Sequence, residues 1–151
     1  MKERIERYFA KMGWNWSENG PVLKISVDGA EISWSMFIKA DEEESFCSFS
    51  VLPTRVPEKK LDLVSKLTNV FNSELWFGNF ELILNGAECG QLRFRTSSFV
   101  PKMMDENEIE TIIEKNISFN MAAMNRYAPM FMKAIFGSSD DISEFYMTED
   151  I

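Results

Sequence analysis

Side chains that could carry out chemistry are few in this sequence, and their spacing argues against catalysis. The chain of 151 residues contains no histidine. It therefore lacks the commonest general acid or base, the usual activator of a serine or cysteine nucleophile, and the commonest metal ligand. Cys47 and Cys89 are far apart and have no metal-binding spacing, and no glycine-rich phosphate-binding motif is present. We expect no enzyme, no catalytic residue, no metal and no cofactor.

The densest group of carboxylates is the acidic run Asp41, Glu42, Glu43 and Glu44. A calcium loop needs alternating oxygen ligands and a sharp glycine turn, and the run has neither. We interpret it as a solvated hairpin loop. A carboxylate-dependent enzyme is the less favoured alternative, because burial can shift a carboxyl pKa.

Two arginines, Arg93 and Arg95, alternate with apolar residues and should share one face of a strand. They could bind a carboxylate or an acidic peptide. The competing interpretation is that they pair across strands with an acid such as Glu81.

Aromatic residues and methionines supply further candidates for a binding surface. Trp14, Trp16 and Trp34 could mark a recognition surface, since aromatic residues dominate binding hot spots; packing in the core is the alternative. Of the ten methionines, Met130 and Met132 fit either a core position or an adaptable surface.

The C-terminal segment is acidic, but Ile142, Phe145 and Tyr146 have helical spacing within it. They could form a short helix that docks on another chain or on the domain itself; a solvated tail is the simpler interpretation. We divide the chain into one domain, residues 1–137, and an acidic flexible tail, residues 138–151. The predicted protein-binding surface consists of Trp14, Trp16, Arg93, Arg95, Met130, Met132 and Phe145.

Apolar residues recur at intervals of three and four in residues 2–12, in 58–74 and after Asp105, which predicts helices. Asp105 is a suitable N-cap for the last of them. Pro129 should break or kink this helix, giving one long or two short helices that end at Gly137.

Apolar and polar residues alternate in five segments, which predicts strands. Asp28-Gly29 predicts a two-residue hairpin, Asn85-Gly86 a second turn, and Pro53 and Pro57 the end of the third strand. The fold class is thus α+β, with an antiparallel five-stranded sheet, helices on one face, and the order α-β-β-β-α-β-β-α(-α). The predicted strands cover approximately 23–27, 32–38, 45–52, 80–84 and 92–94.

Net charge restricts the partners of the chain. At a formal charge of −8, the surface repels phosphate backbones and anionic lipids, so we expect neither nucleic acid nor membrane as a partner. The charge favours solubility and attraction to basic protein segments. No apolar stretch reaches the length of a signal peptide or a membrane span, so we expect a cytoplasmic location.

Three segments resemble the YbjN family, proposed bacterial sensory transduction regulators. They are residues 56–100, VPEKKLDLVSKLTNVFNSELWFGNFELILNGAECGQLRFRTSSFV; residues 127–137, YAPMFMKAIFG; and residues 9–16, FAKMGWNW. The matching features of the first are a proline-led helix, a glycine-led strand entry, a glycine-containing hairpin and the LRFR strand. The resemblance spans approximately residues 1–145.

The resemblance implies a fold like that of type III secretion chaperones and a cytoplasmic regulator or chaperone-like binder, often dimeric, without a known cofactor or catalytic residues. Our leading hypothesis is a non-catalytic protein-binding regulator or chaperone-like module. A dedicated secretion chaperone for an effector is the alternative. We expect the partner to be a protein or peptide segment, and we expect a homodimer because the C-terminal helices are apolar and aromatic residues are abundant.

Overall fold

The structure is a computed structural model that describes residues 1–41, 44–84 and 89–145. Within these residues, three α-helices and six strands follow the order α-β-β-β-β-α-β-β-α, with two short 3-10 helices at Glu58–Lys60 and Ile142–Glu144. The helices are α1 (Lys2–Met12), α2 (Leu61–Glu74) and α3 (Glu106–Phe136). The strands are β1 (Ser17–Asn19), β2 (Val22–Asp28), β3 (Ser33–Ala40), β4 (Ser45–Pro57), β5 (Asn79–Leu84) and β6 (Cys89–Phe99).

The strands form one antiparallel sheet in the order β1-β2-β3-β4-β6-β5. The predicted α+β class with an antiparallel sheet is confirmed, but the number of strands was wrong. The sixth strand is β1, whose sequence Ser-Glu-Asn carries no apolar alternation. It forms because Gly20, at φ 59°, reverses the chain and brings β1 into backbone pairing with β2.

Every second residue of the long strands is buried beneath the helices, and the intervening residues face the other way. The buried face of the sheet and the helices over it share one hydrophobic core. We call the buried face of the sheet the covered face. The largest fully buried side chains of the core, from the sheet and the helices together, include Phe9, Phe46, Phe71, Phe94, Phe131, Ile5, Leu23, Met36, Ile38, Leu67, Leu92 and Ile113.

The reversal between β2 and β3 differs from the predicted two-residue turn. The connection covers residues 29–32, where the Gly29 amide donates to the Ile32 carbonyl (2.9 Å) and the Ala30 amide donates to Asn125 Oδ1 (3.0 Å). A Cβ on Gly29 would lie 2.4 Å from the Trp34 ring. Glycine is therefore required here for close packing and not for a positive φ.

Of the two prolines predicted to end the third strand, Pro57 does so and Pro53 does not, and Pro129 does not break α3. The pairing of β4 with β6 shifts register between Val51 and Arg55, so Pro53 lies in an irregularity outside the regular ladder and the strand continues to Pro57. Helix α3 runs through Pro129 without a break. Buried residues on both sides, Ala128 and Phe131 among them, hold it against the core despite the missing backbone donor.

The start of α3 agrees with prediction. Asp105 accepts a hydrogen bond from the Glu108 amide (2.9 Å), and the Glu108 side chain accepts one from the Asp105 amide (3.0 Å). This capping box satisfies two amides that the first turn leaves without helical partners.

Polar side chains lie at the centre of the contact between α3 and the sheet. Asn120 is fully buried, and its amide group donates to the Ser48 carbonyl (3.1 Å) and to Thr96 Oγ1 (2.9 Å). Its Oδ1 accepts from the Ser50 hydroxyl (2.5 Å). These bonds fix the position of one turn of α3 over β4 and β6.

One helical turn earlier, Asn116 repeats the arrangement. Its Oδ1 accepts from the hydroxyls of Ser48 (2.7 Å) and Thr96 (3.0 Å), and its amide group donates to Ser98 Oγ (2.8 Å). Among the described residues, no buried side-chain nitrogen or oxygen lacks a hydrogen-bond partner. The network therefore carries no desolvation penalty for an unpaired group.

Residues 138–145 lie against the domain. Lys60 donates to the Ser139 carbonyl (3.2 Å) and pairs with Asp140 (2.8 Å), and Phe145 is buried, with the Lys133 ammonium 5.9 Å from its ring centre. The division of the chain at residue 137 stays a prediction. The flexibility of the tail also stays a prediction. Residues 146–151, which include Tyr146, lie outside the described residues.

Candidate functional site

The second face of the sheet consists of the residues that alternate with the buried ones in β2 to β6, and we call it the open face. Most of its side chains are half-buried by one another and by the strands beneath them. Aromatic and cationic residues are prominent on it. They are Phe37, Phe49, Phe99, Lys24, Lys39, Arg55, Arg93 and Arg95.

Strand register aligns four of these residues in a row across the sheet. Lys24 is opposite Phe37, Phe37 is opposite Phe49, and Phe49 is opposite Arg95. The Lys24 ammonium lies 5.6 Å from the centre of the Phe37 ring, and the Arg95 guanidinium 5.8 Å from that of Phe49. Both are distances at which a cation is attracted to an aromatic ring.

The Arg93 guanidinium lies closer still, 4.5 Å from the Phe49 ring centre, and its Nε donates to Glu81 Oε2 (2.6 Å). Arg95 shares the same carboxylate at 3.6 Å. The cross-strand pairing with Glu81 expected from the sequence is thus present. Burial raises the pKa of Glu81, but the hydrogen bond and charge of Arg93 outweigh it and leave that pKa below its ordinary value.

The open face is cationic although the chain is acidic. The outward positions of β2 to β6 carry five cationic side chains and two acidic ones, Asp28 and Glu81, a net charge of +3, while the whole chain carries −8. The net charge of the open face is therefore opposite in sign to that of the whole chain.

Both cysteines are on the open face as free thiols. Cys47 contacts Ser97 Oγ (3.2 Å) and Arg95 (3.7 Å), and Cys89 contacts Arg55 (3.6 Å). The contact with Cys47 is the main reason that the pKa of Arg95 is raised, and the Glu81 charge adds to it.

The three tryptophans singled out in the sequence do not meet on this face. Trp34 is buried and donates to Ser50 Oγ (2.9 Å). Trp14 and Trp16 pack on Phe9, with ring centres 5.9 Å away in each case. They line a cleft of about 680 Å³ beside the edge of β2.

The remaining predicted surface residues lie on the helical side of the domain. Met130 and Met132 are half-buried against the core, and Phe145 is buried. Of the seven residues predicted to form one binding surface, only Arg93 and Arg95 are brought together on the open face.

The acidic run is an ordinary reversal in its described part. The Asp41 side chain accepts from the amides of Glu44 and Ser45, both at 2.9 Å. Glu42 and Glu43 lie outside the described residues, as does the predicted turn at Asn85-Gly86. Among the residues that the structure does describe, no cluster could hold a metal ion.

Sequence reasoning missed Phe37 and Phe49, the aromatic centre of the open face. Their outward direction follows from the alternation along each strand. Their position next to Arg93 and Arg95 depends on the register of three strands, which a single sequence does not reveal. Trp76 was also missed; it is 90% exposed in the turn between α2 and β5.

Comparison with solved structures gives a match in fold. The crystal structure of YbjN from E. coli, a proposed transcription regulator, superposes with a TM-score of 0.63 over 85% of this chain and 92% of that one, at 8% sequence identity. The match supports the YbjN-like fold that the sequence resemblance implies. No family model and no curated protein matches the sequence.

Among the described residues, no helix is both long and apolar enough to cross a bilayer.

Proposed function

We propose that this chain is a non-catalytic binding module whose open face receives an acidic segment of another protein. The observation that carries the proposal is the cationic, aromatic open face on an acidic chain. Complementary potentials of this kind steer association and select partners.

The contacts on the open face support an anionic partner that also has apolar side chains. The rings of Phe37 and Phe49 offer apolar area, and Arg95 keeps a side chain that is 41% exposed after its contact with Glu81. Arginine beside an aromatic ring binds carboxylates by paired hydrogen bonds while the ring takes up apolar groups.

Charge argues against two other occupants of the open face. A second copy of the chain would bring two faces of net charge +3 together, and like charges facing each other are unfavourable. A long nucleic acid would reach past the face onto an otherwise acidic surface, which repels phosphates. The predicted homodimer would then use another surface.

The ionisable groups support a role without catalysis. Hydrogen bonds or cations lower the pKa of four described carboxyl groups, those of Glu18, Glu81, Glu106 and Asp141. A general acid at neutral pH needs a shift in the opposite direction. The chain also has no histidine to act in place of a carboxyl group.

Photocrosslinking in living cells tests the proposal. A photoreactive phenylalanine at position 49 should capture a discrete protein, and mapping should find the link in a segment with more acidic than basic residues. The same amino acid at Phe136, 70% exposed on the helical side, is the matched control and should not capture that protein.

Purified components then test the charge. Arg95→Glu should weaken binding of the captured segment by at least about tenfold, the equivalent of one exposed charge contact made repulsive. Glu81→Gln should strengthen it, because Arg93 and Arg95 lose their internal partner. Capture of nucleic acid, of a basic segment or of a second copy at position 49 would contradict the proposal.

A further inference from the structure

A second surface of different construction lies on the helical side, at the turn between α2 and β5. Trp76 is 90% exposed and Phe77 is 67% exposed. The Phe77 ring meets the ring of Phe119 on α3 edge to face, with centres 5.7 Å apart. We call these three residues the aromatic corner. Large apolar side chains at this exposure mark interaction sites more often than single exposed residues do.

The turn that carries Trp76 and Phe77 is anchored at both ends. The Phe80 amide donates to Asn72 Oδ1 (2.7 Å), and the Asn72 amide group donates to the Phe80 carbonyl (3.0 Å). Gly78 has a φ of 75°, and a Cβ there would lie 2.6 Å from the Arg95 carbonyl oxygen. The aromatic side chains are thus held out on a backbone fixed against β6, which reduces the entropy lost on binding.

Two grooves flank the aromatic corner along α3. One has a volume of about 610 Å³ and extends to Ile112 and Lys115. The other has a volume of about 470 Å³ and extends to Ala122 and Arg126. The pair Phe77 and Phe119 lines both grooves and so forms the ridge between them.

Charge on α3 is divided between its two sides. Glu106 pairs with Arg4, Glu110 pairs with Lys11 on α1, and the charge of Glu114 acts on Tyr8 of the same helix. Three of the four acids of α3 therefore face α1, and the fourth, Glu108, caps the start of the helix.

Two of the three cations of α3, Lys115 and Arg126, line the grooves, and the third, Lys133, lies against Phe145. Lys115 and Arg126 stand at the two far ends, and no described residue forms an ion pair with either; Arg126 lies 5.1 Å from the centre of the Tyr127 ring. Along a helix, eleven residues span about 16 Å. The grooves thus offer an apolar centre with a positive charge at each end. Glu74 also lines the second groove, where its carboxylate accepts a hydrogen bond from the Tyr127 hydroxyl.

We propose that the aromatic corner binds an amphipathic helix of a partner protein, with apolar side chains at its middle and acidic residues at both ends. A helix presents side chains four positions apart on one face, so two of them can straddle the ridge of Phe77 and enter both grooves. Its acidic ends would pair with Lys115 and Arg126. A second copy of the same corner would bring cation against cation.

Two synthetic helices test this surface. Each is about 15 residues long, the length at which an isolated helix begins to hold, with Phe and Leu four positions apart at its centre. One has Glu at both ends, about eleven positions apart, and the other has Lys. The peptide with Glu should bind the purified chain at least about tenfold more tightly than the peptide with Lys.

Variants locate the binding and reverse the charge preference. Trp76→Ala should weaken binding of the peptide with Glu about 30-fold, as removal of a hot-spot tryptophan does. The double variant Lys115→Glu, Arg126→Glu should bind the peptide with Lys in preference to the one with Glu. A preference that does not invert, or binding unaffected by Trp76→Ala, would overturn the proposal.

Lys59→Glu reverses an exposed charge just before α2, away from both grooves; it is the control and should leave the binding of both peptides unchanged. Arg95→Glu separates the two proposals, because it changes the open face and not the aromatic corner. If it weakens binding of the peptide with Glu and Trp76→Ala does not, the peptide binds the open face and the assignment to the corner is overturned. Self-association that depends on Trp76, seen as a mass that rises with concentration in light scattering, would assign the corner to a second copy and overturn the assignment to a partner helix.

Discussion

The covered face and the open face of the sheet each depart in part from the pattern usual for a sheet with one solvated face, which is apolar on its covered side and polar on its open side. Five polar residues lie at the centre of the covered side: Ser48, Ser50, Thr96, Asn116 and Asn120. The open face instead presents three phenylalanines, Phe37, Phe49 and Phe99. Alternation along a strand therefore tells which residues share a face, but not which face is polar.

The two departures have different physical consequences. On the covered face the polar groups satisfy one another, and this allows α3 to dock in one position only, since a shift by one residue would leave several buried groups unpaired. On the open face the rings of Phe37 and Phe49 are only half-buried and contact cations of the same face, and Phe99 is 64% exposed. The covered face thus fixes the fold, and the open face keeps area that a partner can bury.

The largest effect should come from breaking the covered network at Asn120. Asn120→Ala removes a hydrogen-bond partner from four buried groups at once, and we expect the free energy of unfolding to fall by about 4 kcal/mol. Urea denaturation followed by circular dichroism measures it. Asn107→Ala, exposed near the start of α3, is the control and should change stability by less than about 0.5 kcal/mol. Equal effects of the two substitutions would mean that the network does not hold α3.

A second prediction concerns a titratable group on the covered side. The Tyr127 hydroxyl donates to Glu74 (2.9 Å). Burial, the hydrogen bond and the charge of Glu74 raise the pKa of Tyr127 to about 12. Because folding raises this pKa, the protonated hydroxyl stabilises the folded chain. The stabilisation is complete below pH 10.0, the pKa of the unfolded chain, and is lost as the pH rises through the pKa of the folded chain.

The unfolding free energy of the wild type should therefore fall, through this group alone, by about 3 kcal/mol between pH 10.0 and about 12. Tyr127→Phe cannot ionise, so it should lose correspondingly less stability over the same interval. Urea midpoints for both proteins at several alkaline pH values measure the difference. Parallel pH profiles would show that the hydroxyl ionises equally easily in the folded and unfolded chains.

On the open face the matching experiment is Glu81→Gln, with a smaller effect. The pair with Arg93 is half-buried, and we expect its loss to lower stability by about 1 kcal/mol at neutral pH. Because folding lowers the pKa of Glu81, this contribution is present above the ordinary carboxyl value of 4.5 and disappears as pH falls through the lower folded value.

The difference between Glu81→Gln and the wild type should vanish in acid, as thermal unfolding over a pH series would show. Asp62→Asn is the control, because its pair with Lys66 on α2 is exposed and should contribute less than about 0.5 kcal/mol. A stability difference for Glu81→Gln that persists at low pH would indicate a role in packing and not in charge pairing.

Much of the fold follows from local patterns in the sequence. Leu23, Ile25 and Val27 alternate with polar residues and form β2, and Asp105 with Glu108 begins α3 as a capping box predicts. β1 was not predictable in this way, since its three residues are polar and its pairing is through the backbone. The run of β4 through Pro53 depends on a register shift that only the neighbouring strand defines.

The candidate sites were less predictable than the fold. Arg93 and Arg95 were assigned to one face, and Glu81 to their neighbourhood, because a hairpin places these strands side by side. Asn116 and Asn120 give no local sign of burial: an asparagine on a helix normally faces water, and only hydroxyls on β4 and β6 make these positions favourable. Long-range contacts of this kind are absent from a single sequence.

The smallest effect is expected for the thiols of the open face. Cys47→Ser should change the unfolding free energy by less than about 0.5 kcal/mol, because a hydroxyl can keep the contacts with Ser97 and Arg95.

The two thiols are too far apart to form a disulfide. Register places Cys47 opposite Ser97, which lies eight residues from Cys89 along β6, or about 26 Å. A disulfide needs Cα atoms less than about 7 Å apart, so oxidised glutathione should produce no Cys47–Cys89 link in peptide maps of the folded monomer. The same register aligns Phe49 with Arg95, so such a link would remove both the row of cations and rings and the reason for assigning an acidic partner to this face.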